Sequence, residues 1–288
     1  MPRLTAALAA VAAACLLLLT AGPQPASAAV VARRSVPHRI HARGAELMNA
    51  ATGRRLWGRN ENVRRPIASI TKVMTALVVI RAGNLERKVR ITSAVPAYAR
   101  SHGAGSAGLR AGDVLTARQL LEAMLLPSGA DAAYALASTY GRGWRRFVAT
   151  MNATARKLGM HRTHFANFDG LPWPSARATY STPADLLTLA RAAMARKVFR
   201  RIVGQHSHYL SATPAHHAYY WKNTNLLLGS YRGATGIKTG WTSAAGYCLL
   251  FEAVRAGRAL VGVVLYTSGT DPQSRFTAAR RLLNWAFG

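Results

Sequence analysis

Ser69-Ile70-Thr71-Lys72, entering the apolar run Val73, Met74, Leu77, Val78, Val79 and Ile80, is the stretch on which the reading of this chain turns. A helix advances about 3.6 residues per turn, so a serine and a lysine at i and i+3 share one face and their side chains meet. The run from Ile70 to Ile80 is apolar almost all the way round, which predicts a helix buried in a domain core rather than one lying on its surface. A lysine there is short of water. Desolvation disfavours the ammonium and lowers its pKa, the condition for taking a proton from a serine hydroxyl near neutral pH. Gly83 is the predicted stop. S-x-x-K alone arises by chance in many chains, so it needs companions.

Two appear downstream, and each supplies something acyl transfer requires. Ser128-Gly129-Ala130 follows Thr116 to Leu126, a predicted helix opened by a Thr116/Gln119 capping box and broken by Pro127 and Gly129. A serine on that break can project into a cleft. Lys238-Thr239-Gly240 lies just before a strong strand pattern and offers a cation, a hydroxyl and a glycine that lets substrate backbone approach a sheet edge. Such an edge is a natural dock for an extended peptide.

With these residues in place, the chain resembles the serine D-alanyl-D-alanine carboxypeptidases of the low-molecular-weight penicillin-binding proteins, relatives of the serine β-lactamases. The resemblance covers about residues 44 to 270. It rests on Ala45-Glu46-Leu47-Met48, Thr52-Gly53, Pro66-Ile67-Ala68 leading into Ser69, and Met74-Thr75-Ala76 after Lys72. It continues through Asn167 with Gly170-Leu171, Tyr180-Ser181-Thr182 with Asp185, and Asn223-Thr224-Asn225. Gly236 to Thr242, then Ala245-Gly246, closes it. The family's second motif normally ends in asparagine, whereas this chain has Ala130, with Asp131 next. Losing one buried hydrogen bond there costs about 1–3 kcal/mol, which predicts slower or altered turnover unless water or Asp131 compensates.

The resemblance implies that Ser69 attacks the carbonyl of the penultimate D-alanine of a peptidoglycan stem peptide while Lys72 removes its proton. Ser128 then relays a proton to the departing D-alanine, Lys238 supports that relay, and Thr239 binds the terminal carboxylate. The backbone N–H groups of Ser69 and Trp241 form the oxyanion hole, in which one donor contributes about 3–4 kcal/mol. The expected catalytic residues are thus Ser69, Lys72 and Ser128, and the substrate-binding ones Lys238, Thr239, Gly240 and Trp241, with no cofactor and no metal. β-Lactams are expected to acylate Ser69. No glutamate among Glu46, Glu61, Glu86, Glu122 and Glu252 begins an E-x-x-L-N pattern, so efficient penicillin hydrolysis is disfavoured. Two alternatives stand beside this reading. One is a degenerate member, motivated by Ala130, that binds β-lactam or wall peptide with little turnover; the other is a basic envelope-binding protein whose enzyme fold is incidental.

Residues 1 to 28 carry Arg3, an apolar stretch from Leu8 to Leu19 and Ala26-Ser27-Ala28, the pattern of a cleaved secretory signal peptide. The rest is expected to be exported and wall-associated. Residues 29 to 42 read as a flexible basic linker before a domain at 43–288. No second apolar stretch reaches the roughly 20 residues of a membrane span. The family often adds a C-terminal sheet domain and an amphipathic anchor, and the stop at Gly288 predicts neither. Cys15 falls in the apolar stretch, leaving Cys248 in a strand pattern as a small buried hydrophobe with no disulfide partner.

The net charge of +28 comes from 38 Lys and Arg against 10 Asp and Glu. For an exported protein this points away from nucleic acid and towards diffuse attraction to anionic envelope polymers, lipids and peptidoglycan carboxylates. A composition bias without function is the alternative. The pairs His206/His208 and His216/His217 lack an H-E-x-x-H frame and nearby acids in sequence, so they read as ordinary histidines rather than metal ligands. Asn167 reads as a loop-fixing residue, and Tyr219, Tyr220 and Trp221 as lining either the cleft or a lobe junction.

Ala45 to Ala50 and Arg55 to Gly58 predict an opening hairpin, Gly246 to Val254 and Ala259 to Tyr266 a closing one, and Pro272 to Phe287 a final helix. Between them the chain is mainly helical. The expected fold is therefore α+β and β-lactamase/transpeptidase-like. An antiparallel sheet built from both ends is flanked by helices, a helical lobe at roughly 84–215 is inserted, and the active site lies at the junction.

Overall fold

Both ends of the chain build one sheet. β1 (Gly44–Asn49) turns back through Gly53 into β2 (Arg55–Arg59), and β3 (Ala234–Thr242), β4 (Gly246–Arg255) and β5 (Arg258–Leu265) complete it. The spatial order is β2-β1-β5-β4-β3, every pair antiparallel, with Gly44 opposite Leu265 and Lys238 opposite Leu250. The computed structural model describes residues 36–288, of which Pro37 to Gly288 form one unit. The expected signal peptide and the start of the expected linker lie outside the described residues. Within the linker's last part Ile40 is 2% exposed and packs into the core, and Arg59 donates to its carbonyl.

Strand periodicity explains the layers. Alternate residues point to opposite faces, and here both faces are covered, so β4 and β5 read as continuous apolar runs rather than alternating ones. Leu249, Phe251, Leu260 and Val264 join Phe276, Leu282 and Leu283 of the last helix, Ser274–Phe287. Leu250, Val261, Val263 and Leu265 belong to the opposite core. That second core is centred on α1 (Lys72–Ala82), whose residues Lys72 to Val79 are all buried, as its all-round apolar sequence requires. Gly83, at φ +76°, ends it.

The inserted span holds α2 (Ala94–Ser101), α3 (Ala117–Leu125), α4 (Ala130–Gly141), α5 (Trp144–Lys157), α6 (Pro183–Met194) and α7 (Lys197–Val203). α3 is opened by the predicted Thr116/Gln119 box. The expectation of a purely helical lobe needs two amendments. Lys88–Arg90 pairs with Val114–Thr116 as short strands, and α6 lies against β1 and β5 of the sheet as well as against α7 and α1. α6 does so because its apolar side, with Leu186, Leu187, Leu189 and Ala190 fully buried, finds the sheet face that α8 (Ser274–Phe287) leaves open. No helix among the described residues is long and apolar enough to cross a membrane.

Candidate active site

Ala68–Thr71 is a 3-10 turn feeding α1, and the nucleophile candidate sits in it. Ala68 has φ +47°, a left-handed conformation unusual for alanine, so the turn is held by its surroundings rather than by local preference. The clamp is visible at Gly170. A Cβ on it would lie 1.9 Å from the Ala68 carbonyl oxygen, so only glycine lets the 167–171 loop press against this turn. Asn167 fixes that loop as read from sequence: its Nδ2 donates to the carbonyls of Leu171 and Trp173, and its Oδ1 accepts from Gly170 N–H at 2.7 Å.

Lys72 Nζ donates to Ser69 Oγ at 3.0 Å and to the Asp169 carbonyl at 3.2 Å. The lysine is 1% exposed, and burial lowers its pKa, against the opposing pull of the Asp169 and then Asp131 charges. Lys238 is buried as deeply. Burial, then the Lys72 and Arg275 charges, hold it well below the ordinary lysine range. Burial thus weakens the ammonium form of Lys72 beside Ser69, and the Lys72 charge in turn weakens that of Lys238.

The remaining residues of the expected set converge on the same cleft of about 420 Å³. Ser69, Lys72, Ser128, Ala130, Thr239, Gly240 and Trp241 all line it, and Lys238 lies behind them in β3. Ser128, at φ +69°, occupies the break between α3 and α4, and the following Gly129 is enforced by the Ala123 carbonyl, 2.7 Å from where its Cβ would stand. Lys238 to Trp241 lie within the edge strand itself, not in a segment preceding it. A Cβ on Gly240 would come within 2.9 Å of the Ile67 carbonyl, so this glycine seats the edge strand against the turn that carries Ser69. Trp241 is half-exposed at the rim and tilts against Tyr247. Thr224 ties two motifs together: its backbone N–H donates to the Leu126 carbonyl before Ser128, and its hydroxyl meets that of Thr239 at 2.6 Å.

Residues 30–269 of the chain that forms this cleft match the S11 peptidase family, D-alanyl-D-alanine carboxypeptidase. The chain belongs to that family. A D-alanyl-D-alanine carboxypeptidase of Streptomyces sp. strain K15 is 39% identical over 282 residues, 94% of each chain. DacB2, the D-alanyl-D-alanine carboxypeptidase of Mycobacterium tuberculosis H37Rv, is 36% identical over 237 residues, 82% of this chain and 79% of that one. The crystal structure of the Streptomyces K15 DD-transpeptidase superposes with a TM-score of 0.82 at 40% identity, covering 88% of this chain and 99% of that one. The fold is thus the α+β fold of the penicillin-recognising DD-peptidases, and the enzyme class is that of the serine-type D-Ala-D-Ala carboxypeptidases. These likenesses support the enzyme reading and lend nothing to the degenerate or envelope-binding alternatives.

In this carboxypeptidase-family chain Ala130 is buried, its N–H bonded to the Gly105 carbonyl at 2.8 Å. Asp131 does not replace the missing asparagine amide. Its carboxylate turns away from the cleft to accept from Ser106 Oγ at 2.6 Å and from the N–H groups of Ala107 and Leu109, stitching the 106–109 loop to α4. The position next in sequence faces a different element, which one-residue spacing on a helix dictates.

Sequence reasoning missed Asp169 and Arg275. Asp169 is fully buried behind Lys72, where Tyr98 donates to its Oδ2 at 2.8 Å and the Leu171 N–H to its Oδ1 at 3.1 Å. Trp173 Nε1 in turn donates to Tyr98 at 3.0 Å. Burial raises the Asp169 pKa, and the Lys72 charge opposes that. Its neighbours Asn167 and Gly170 carried the family signal, and a polar residue between them was the available clue. Arg275, on α8, lines the cleft and donates to the Gly240 carbonyl at 3.4 Å. Nothing local distinguishes it in an arginine-rich helix.

The histidine pairs differ in one respect from their sequence surroundings. His208 pairs with Glu122 at 3.1 Å and His217 with Asp113 at 2.8 Å, so tertiary structure brings acids that the local sequence lacks. Among the described residues no three ligand-type side chains gather around a common point. Tyr219 and Trp221 are buried at the lobe junction, Trp221 donating to the Ala107 carbonyl, while Tyr220 is exposed. Cys248 is buried, its thiol pushed up to about 12, which makes it inert.

Proposed function

We propose that the enzyme removes the terminal D-alanine of peptidoglycan stem peptides through an acyl-Ser69 intermediate. The observation that carries this is the 3.0 Å contact between Lys72 Nζ and Ser69 Oγ in the cleft that Ser128, Thr239 and Arg275 also line. Neutral Lys72 takes the Ser69 proton as Oγ bonds to the penultimate carbonyl carbon. The C–N bond to the terminal D-alanine then breaks, and Ser128, at the mouth of the α3–α4 break, passes a proton to the departing amine. Lys238 and Arg275 favour an anionic substrate terminus, and Thr239 supplies a hydroxyl to its carboxylate. The N–H groups of Ser69 and Trp241 stabilise the oxyanion. Water then cleaves the ester and frees Ser69.

The same serine accepts β-lactams. No glutamate begins an E-x-x-L-N pattern to activate deacylating water, which favours a long-lived penicilloyl ester. The N-terminal 28 residues support export, and the excess of arginine supports residence among anionic envelope polymers.

Intact mass after incubation with penicillin, followed by D-alanine release from a peptide ending in D-Ala-D-Ala, tests this in wild type beside Ser69→Ala. A serine-dependent adduct with D-alanine release is the expected result. An adduct without release, restored to turnover by Ala130→Asn, returns the degenerate reading, and no adduct refutes both.

A further inference from the structure

The arginines are dispersed along the sequence, yet the fold gathers Arg43, Arg64, Arg65 and Arg177 around a second pocket, of about 310 Å³, with Tyr180 and Tyr266 in its wall. Among the described residues none of these four guanidiniums stands within ion-pair distance of a carboxylate. Two are oriented by rings instead: Arg43 lies 3.7 Å over Tyr266 and Arg64 lies 5.2 Å over Tyr180. An aromatic face positions a cation without neutralising it. Arg65 is the innermost. Its Nε is buried with no hydrogen-bond partner, and its stem runs so close to β1 that a Cβ on Gly44 would lie 3.2 Å from that nitrogen. Burial, then the charge of Arg43, depress the Arg65 pKa from its ordinary value. Four guanidiniums drawn around one pocket with no carboxylate beside them are a site lacking its counter-charge.

We propose that this pocket binds the phosphate group of a phosphate ester. A carboxylate offers two coplanar oxygens and satisfies one guanidinium fork. Here guanidiniums arrive from three separate segments, at residue 43, at 64–65 and at 177, which suits a tetrahedral anion whose oxygens point to several forks at once. The pocket abuts the catalytic cleft without sharing a lining residue. Arg65-Pro66 leads into the turn that carries Ser69, and Ala244-Ala245 continues from Thr242-Ser243 of the cleft wall. Occupancy therefore leaves the nucleophile free, and phosphate binding is independent of acyl transfer.

Calorimetric titration of the full chain with inorganic phosphate at constant ionic strength tests the site. Wild type is compared with Arg64→Gln/Arg177→Gln and with Arg90→Gln/Arg201→Gln, which removes the same charge elsewhere. All four side chains are exposed, and unchanged thermal melting verifies folding. One saturable site, weakened about tenfold in the pocket variant and less than twofold in the control, is expected for loss of charge-assisted bonds. Equal weakening in both variants, acetate binding as tightly as phosphate, or no saturation in wild type overturns the proposal. Co-sedimentation with phosphatidylglycerol but not phosphatidylcholine vesicles, lost in Arg64→Gln/Arg177→Gln, identifies a lipid headgroup as the source. Phosphate binding without co-sedimentation identifies a soluble or polymer-borne ester; both uphold the site.

Discussion

Lys72 is buried beside Ser69, and desolvation is what lowers its pKa towards a basic amine. Asp169 works against this by favouring the Lys72 ammonium. Asp169→Asn keeps an acceptor for the Leu171 N–H but removes the charge, so the Lys72 pKa falls further. Acylation needs neutral Lys72 and rises as pH passes its pKa, so the acid limb of the rate of penicillin acylation moves to lower pH in this variant. A limb that stays put or moves up refutes the assignment of Lys72 as base. Glu46 gives a stability counterpart. It is buried in β1 with Oε2 unpartnered, and desolvation raises its pKa from 4.5 to about 7. The neutral acid carries no penalty below the unfolded pKa; stability falls as pH rises from 4.5 towards 7 and the full penalty applies above it. Glu46→Gln is therefore nearly neutral at the acid end and stabilising by on the order of 2–3 kcal/mol above the upper value, read from denaturant melts at both ends. Ser69 and Lys72 were legible in sequence because their spacing is local. Asp169 and Arg275 were not, because they reach the cleft from elements far away in the chain.

The 3-10 turn that carries Ser69 is held between two glycine contacts, Gly170 against the Ala68 carbonyl and Gly240 against the Ile67 carbonyl. Neither can accept a side chain without moving the nucleophile. Gly170→Ala, at φ +83° and in direct collision with that carbonyl, is expected to lower penicillin acylation by roughly 10²-fold, the scale of a displacement of about 1 Å. Its loss should exceed that of Gly159→Ala, which has a similar positive φ but open space around it, and comparable acylation rates in the two variants would remove the clamp from the argument. α1, the hairpins and α8 were legible because each announces itself by periodicity and by a glycine or a capping residue at its end. The placement of α6 was not: its apolar side fits either another helix or a sheet, and only the open face of β1 and β5 puts it against the sheet as well.

Across the molecule the charge is lopsided, +28 overall, and Arg275 lines the cleft itself. An anionic stem peptide is steered by that field, which salt screens over about 10 Å at 0.1 M. kcat/KM for such a peptide should fall as sodium chloride is raised while kcat holds. A salt-independent kcat/KM would show that steering contributes nothing. Local patterns alone carried the serine and its lysine, the two further motifs, the paired hairpins and the family itself, because each depends on spacing within one element or turn. Tertiary structure alone decided which acid backs Lys72, that Asp131 turns away from the cleft, that His208 and His217 meet acids, and that four dispersed arginines line one pocket. Those outcomes depend on which distant segments become neighbours, and burial, which sets the pKa values, exists only once they have.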